Sequence, residues 1–197
     1  MEFKNIATLR NKYYVMRHGQ ALSNVKDICS CWREKFRNPL TDLGQQKVAE
    51  SAQNLKASGK KIDFIFNSPL LRTKQTAKIV GKILGVKPKV DKRLREIGFG
   101  KFNGKNLYQM WASFKHEADR IDHGADGGES YVAIVKRMTS VVEGLEKKHQ
   151  GKSILLISHE GPSFLLQGWF KGLSIRETIA NSPVGERIHK AEIRELN

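Results

Sequence analysis

Cysteine is scarce: two in 197 residues, Cys29 and Cys31. One residue apart, they are poorly spaced for a disulfide, and no further cysteine completes a tetrahedral metal set. They read as two reduced thiols in a loop. Long apolar runs are missing too. No stretch approaches the ~20 residues that a membrane helix needs. The opening MEFKNIATLRNKYYVMRHG has neither the apolar core nor the small-residue cleavage site of a secretory leader. The expectation is a cytoplasmic protein without a membrane partner. Internal repeats, low-complexity tracts and linkers are absent as well.

What remains is an ordinary globular composition, 39% hydrophobic and 28% charged. The length suits one domain over residues 1–197, with cap or substrate loops at about 25–40 and 100–127. The net charge is +15 and unevenly spread. Residues 1–98 hold 21 Lys+Arg against 8 Asp+Glu, and residues 99–197 hold 14 against 12. Such a field draws in polyanions and small phosphate esters alike. The lysines are scattered, and neither zinc-finger spacing nor an aromatic RNA-binding signature accompanies them. The partner expected is a small phosphorylated metabolite, not a specific nucleic acid; oligomeric state is left open.

Apolar patterning divides the chain into alternating elements. Tyr13 to Met16 reads as a buried strand, and Thr41 to Ser58 as a helix with Thr41 as N-cap. Ile62 to Phe66 is a second strand, closed by Asn67-Ser68-Pro69. Arg72 to Leu84 is a helix stopped by Gly85. A short extended piece ends at Val90, and Gly98 to Gly104 is a turn region. Helices are expected over Leu107 to about Ile121, Glu129 to Lys148 and Phe164 to Phe170. SILLIS, Ser153 to Ser158, is the clearest strand, and Ile188 to Leu196 fits an edge strand. Alternating strands and helices specify an α/β fold with helices on both faces of the sheet. Sites in such folds lie beyond the carboxyl ends of the strands.

Polar residues gather at those ends. Arg17-His18-Gly19 follows the first strand, Asn67 to Arg72 the second, and His159 follows SILLIS. A neutral imidazole attacks phosphorus if one ring nitrogen is anchored, and a turn containing glycine offers a backbone carbonyl for that anchor. Arginine forks neutralise phosphate oxygens. With Asn24 and Glu96, these residues make a kit for phosphoryl transfer: nucleophile, cations around the equatorial oxygens, and an acid for the leaving group.

Six segments, YYVMRHGQALSN, PLTDLGQQ, NSPLLRTKQTA, RLREIGFGKFNG, GGESY and ISHEGP, occur in the order found in the histidine phosphatase superfamily. The chain resembles its phosphoglycerate mutase-like branch over about residues 12 to 185. That resemblance implies a three-layer sandwich around a mostly parallel sheet. It also implies a histidine acid-type phosphatase (a phosphoric monoester hydrolase) acting through a phosphohistidine without metal or cofactor. His18 is then the nucleophile and Glu96 the acid and base. Arg17, Arg72 and His159 form the phosphate pocket, with Asn24 adding a hydrogen bond.

Where mutases of this branch follow the acid with Arg-His-Tyr, this chain has Ile97-Gly98-Phe99. The uncharged run favours a phosphatase; Lys101 and Lys105 keep mutase-type transfer as the alternative. An inactive interaction protein of the same shape is the third reading, disfavoured because both histidines and both arginines are kept. Ser30 and Cys31 fall where mutases carry a substrate-lining Ser-Gly and are expected near substrate. Glu160 is expected to face away from the site, giving only its backbone N–H. Thr41 to Gly44 and Gly128 to Ser130 read as helix starts. His116, His123, His149 and His189 match no motif.

Overall fold

A computed structural model describes residues 9–197. Lys12–Arg17 (β1) and Ser153–Ser158 (β4) are apolar runs buried along most of their length, as central parallel strands must be. Phe64–Asn67 (β2), Pro88–Val90 (β3) and Ile193–Glu195 (β5) are shorter. The strand order is β3-β2-β4-β1-β5. The first four run parallel, and β5 lies antiparallel to β1 on the edge expected for it.

Helices Leu22–Val25 (α1), Asp42–Ala57 (α2), Leu71–Leu84 (α3), Leu107–Trp111 (α4), Tyr131–Lys148 (α5), Glu160–Phe170 (α6) and Ile175–Ala180 (α7) surround the sheet. The two-residue period of the strands divides the core between two faces. Tyr13, Ile154 and Leu156 pack with Ile134, Met138 and Phe164 of α5 and α6. Tyr14, Met16, Leu155 and Ile157 pack with Val48, Ala52 and Val80 of α2 and α3. The result is the three-layer α/β arrangement anticipated above.

Local signals account for the helix ends. Thr41 Oγ1 accepts from Gly44 N at 3.0 Å, an N-cap bond, and Ser130 Oγ does the same for Ala133 N at 3.2 Å. Gly85 ends α3 with a φ of 71°, a conformation open to glycine. Gly44 has a second task. A Cβ there would strike the Gln20 carbonyl, so the start of α2 lies directly against the loop that follows β1.

One expected helix is broken. The run from Leu107 to Ile121 is helical only to Trp111, and a separate 3₁₀ turn covers Glu117–Arg120. In a continuous helix Arg120 would lie about 180° around the axis from Trp111. The break lets both reach one buried cluster, in which the Arg120 Cζ lies 4.7 Å from the centre of the Trp111 ring. Another boundary moves outward: α6 begins at Glu160, four residues before the expected Phe164.

Candidate active site

Register places the two histidines. β1 pairs with β4 so that Arg17 lies opposite Ser158, and the next residues, His18 and His159, meet with ring centroids 5.0 Å apart. His18 Nδ1 lies 2.7 Å from the Gly19 carbonyl. A carbonyl only accepts, so Nδ1 carries the hydrogen and Nε2 presents a lone pair. Burial, then the neighbouring Arg72 and Arg17, push the His18 pKa well below the usual imidazole value. The ring is therefore neutral at neutral pH, with the Nε2 lone pair fixed in direction.

Arg72, at the start of α3, holds both rings. Its Nε donates to His18 Nε2 at 3.0 Å and its Nη2 to His159 Nδ1 at 3.1 Å. His159 must then carry its hydrogen on Nε2, which donates to Ser68 Oγ at 2.8 Å. Burial and Arg72 lower its pKa as well. Arg72 is itself 2% exposed and also bonds the Ser30 carbonyl at 2.9 Å. Three strand ends thus converge on one guanidinium.

Glu96 sits 3.5 Å from His159 Nδ1 and 3.8 Å from Arg72 Nη2. Burial raises its pKa, against the opposing pull of Arg72. A surface pairing with Arg95 is ruled out by geometry, because Arg95 turns to Glu129 at 2.5 Å. The Glu96 segment is clamped from α5. Arg137 donates to the Arg93 and Glu96 carbonyls at 2.7 and 3.3 Å and pairs with Glu129, which accepts from Gly98 N at 2.8 Å. Ser158 Oγ ties the same segment to β4 through the Leu94 carbonyl at 2.8 Å.

Arg17 points along the mouth of the site, donating to the Ile188 carbonyl at 3.1 Å, with its Nε buried and unpartnered. Helix α6 starts at the same place with no side-chain cap, so its first amides are left to face an anion. His18, Glu96 and His159 place ligand atoms within 4.8 Å of one another, a spacing that a metal ion would accept. The donor set does not suit one. Arg72 already donates to the inward lone pairs of both histidines, and its positive charge opposes a second cation. An anion suits this arrangement better.

The family model for the histidine phosphatase superfamily (branch 1) matches residues 13–183. The chain belongs to this superfamily. A Hydrogenobacter thermophilus protein with the provisional name phosphoserine phosphatase 2 is 30% identical over 155 residues, which is 76% of this chain and 73% of that protein. A Yersinia enterocolitica protein, provisionally named phosphoglycerate mutase GpmB, is 28% identical over 74% of this chain and 68% of its own. In structure, the mycobacterial glucosyl-3-phosphoglycerate phosphatase solved with VO3 superposes with a TM-score of 0.81 at 24% identity, covering 94% of this chain and 90% of that one.

Within this histidine phosphatase fold, several expected site residues need amendment. Glu160 does not face away: its carboxylate pairs closely with Arg17 Nη1 and lines the cavity. As the first residue of α6, its side chain lies beside Arg17 at the end of the neighbouring strand, and the ion pair draws it inward. Asn24 lines the cavity, but its Oδ1 accepts from Ala21 N at 2.9 Å, which leaves only its amide hydrogens for a ligand. Ser30 lines the cavity as expected, whereas Cys31 does not; Cys29 does so instead. Cys31 Sγ is turned instead to Phe99 N, which donates to it at 3.4 Å. Both thiols are free and buried, and burial raises Cys29 to about 12.

The cavity measures about 200 Å³, the size for a small metabolite. Its walls come partly from the two loops expected to cap the site, joined to each other by a bridge between Ile28 and Asn106. Sequence reading missed Glu34, whose carboxylate lies 3.2 Å from Arg72 Nη1. It missed Arg120 and Arg187, which also line the cavity, and the Arg137–Glu129 clamp. No local pattern announces any of them, because each pair lies eight residues or more apart, beyond the one-turn spacings of a helix. Lys101, thought able to serve a second phosphate, pairs with Asp126 instead at 3.3 Å.

Proposed function

We propose that this protein is a phosphomonoesterase that hydrolyses small phosphate esters through a phosphohistidine at His18, without a metal ion. The carrying observation is the fixed tautomer of His18: Nδ1–H anchored on the Gly19 carbonyl and Nε2 presented beside Arg72 in the cavity. An incoming phosphate takes over the Arg72 hydrogen bonds, with Arg17, Arg72 and the start of α6 around its oxygens and the Asn24 amide in reach. Nε2 attacks phosphorus as the ester P–O bond breaks. The proton of Glu96, kept on the carboxyl by burial, passes to the departing oxygen. Ionised Glu96 then takes a proton from water. The resulting hydroxide attacks phosphorus, the N–P bond breaks, and inorganic phosphate leaves with His18 neutral again. His159, neutral and donating to Ser68, holds the Arg72 fork in place.

The arginines supply the positive charge that a divalent ion supplies elsewhere. Residues 1–197 then act as one catalytic domain, with segments 25–40 and 100–127 as caps that choose the substrate. The test is rapid quenching with a ³²P-labelled ester in excess EDTA. Acid-labile, base-stable label should map to His18, and His18→Ala should lose several orders of magnitude in kcat. Unlabelled enzyme that turns over, or activity that returns only with Mg²⁺, would sink the reading. Mutase-type transfer is the second reading, favoured by the similarity to the protein named phosphoglycerate mutase. It requires conversion of 3-phosphoglycerate that depends on a bisphosphoglycerate primer.

A further inference from the structure

Arg72, Arg120, Arg137 and Arg187 are the buried arginines among the described residues. Three of them have a carboxylate in ion-pair range: Glu34 for Arg72, Glu129 for Arg137, and Glu117 for Arg187 at 2.7 Å. Arg120 has none. Its polar partner is Tyr131 Oη, 3.2 Å from Nη1, and its Nε is buried with no partner at all. The side chain is 2% exposed and lines the cavity that holds His18. The rings of Trp111 and Tyr131 lie 4.7 and 4.8 Å from its Cζ. Such ring contacts offset only part of what it costs to bury a lone charge.

We propose that Arg120 binds a carboxylate carried by the substrate's alcohol portion, so that the physiological substrate is a phosphorylated carboxylic acid. The proposal rests on the phosphatase reading above and adds its substrate class. Three observations favour a carboxylate over a second phosphate. Arg187 is neutralised by Glu117, which also accepts from Tyr131 Oη at 2.7 Å, so the cluster carries one net positive charge. A monoanion matches that charge, and a phosphate dianion does not. Tyr131 Oη takes one Nη1 hydrogen of Arg120, and the remaining Nη fork matches a planar carboxylate. Finally, Lys190, the further cation on the lining, shares it with Asp27. Ile28, Leu107, Met110 and Phe164 line the same cavity and suit an uncharged carbon portion of the substrate.

The test compares matched esters on the intact protein: 3-phosphoglycerate against glycerol 3-phosphate, and 4-carboxyphenyl phosphate against phenyl phosphate. Wild type should favour the acid by at least about tenfold in kcat/KM in one of the pairs. Arg120→Met should bring that ratio close to one, while Lys190→Met should leave most of it. If Arg120→Met does not fold, Arg120→Lys keeps the charge, loses the fork, and should lower the ratio severalfold. A wild-type ratio near one in both pairs overturns the proposal without any variant. A ratio abolished by Lys190→Met and untouched at Arg120 does so too. Should none of the four esters be turned over, the phosphatase reading fails by itself. Calorimetric affinities for the same four esters then decide the subsite, with equal affinities within each pair against it.

Discussion

Arg72 Nε donates to His18 Nε2 at 3.0 Å while the same guanidinium reaches His159 Nδ1 at 3.1 Å. Burial first, and this one shared cation second, hold both imidazoles below their usual pKa.

Glu96→Gln separates acid catalysis from binding. Alkyl phosphates, whose leaving groups need a proton, should lose about 10²–10⁴-fold in kcat/KM, the scale of general acid catalysis. Aryl phosphates should lose much less in that ratio. They should also show a burst of phenol release, because hydrolysis of the phosphoenzyme still lacks its base. Equal losses for the two substrate types would remove Glu96 from the acid role.

The pH profile follows from two opposed shifts. His18 is held below the usual ~6.5 of imidazole, and Glu96 above the usual ~4.3 of a carboxyl group. For alkyl esters kcat should fall on the basic side as Glu96 loses its proton, and a Glu96→Gln enzyme should lack that limb. Stability moves as well. The unfolded chain takes up protons near ~6.5 that neutral His18 and His159 refuse, so the histidine contribution is lost as pH falls through that value. Glu96 acts in the opposite sense, its contribution being full below ~4.3 and lost as pH rises through its raised folded value. The histidines outnumber it. Thermal melts should give a Tm that declines between about pH 7 and 5, and less steeply in His18→Ala.

Glu160→Gln should tighten phosphate binding. The carboxylate sits on Arg17 at the cavity wall, where it competes with any incoming dianion. Its loss should lower KM and the inhibition constant for vanadate by about two- to fivefold, the scale of a partly exposed ion pair, with kcat little changed. A higher KM would mean that Glu160 orients Arg17 for substrate.

Arg137→Met tests the clamp on the acid. Removing one member of a buried pair leaves Glu129 uncompensated and should cost about 3–5 kcal/mol in denaturant unfolding. Glu129→Gln/Arg137→Met together should recover part of that stability. If Arg137 positions Glu96, kcat for alkyl esters should drop more than kcat for aryl esters, even in the double variant. A purely structural role would spare that ratio.

The histidine phosphatase fold was legible because its determinants are local. Apolar runs such as SILLIS, the Thr41 and Ser130 caps and the Gly85 stop set strands and helices through nearest neighbours. Motifs at strand ends then fixed His18, Arg72, Glu96 and His159 as candidates, since parallel strands all deliver their carboxyl ends to one edge. The broken helix after Trp111 was not legible. Its local pattern suits a helix to about Ile121, and the break instead sets Arg120 against Trp111 and Tyr131.

By itself, then, the sequence determined the layer architecture, the strand ends that bear chemistry and the kind of residues placed there. Tertiary structure decided which nitrogen of each histidine carries the hydrogen, where Glu160 points and which buried arginine lacks a carboxylate among the described residues. The reason is physical: propensity and periodicity act over a few residues, whereas ion pairing and burial join groups that the chain separates. Glu160 meets Arg17, and Arg187 meets Glu117, only once strands and loops have packed.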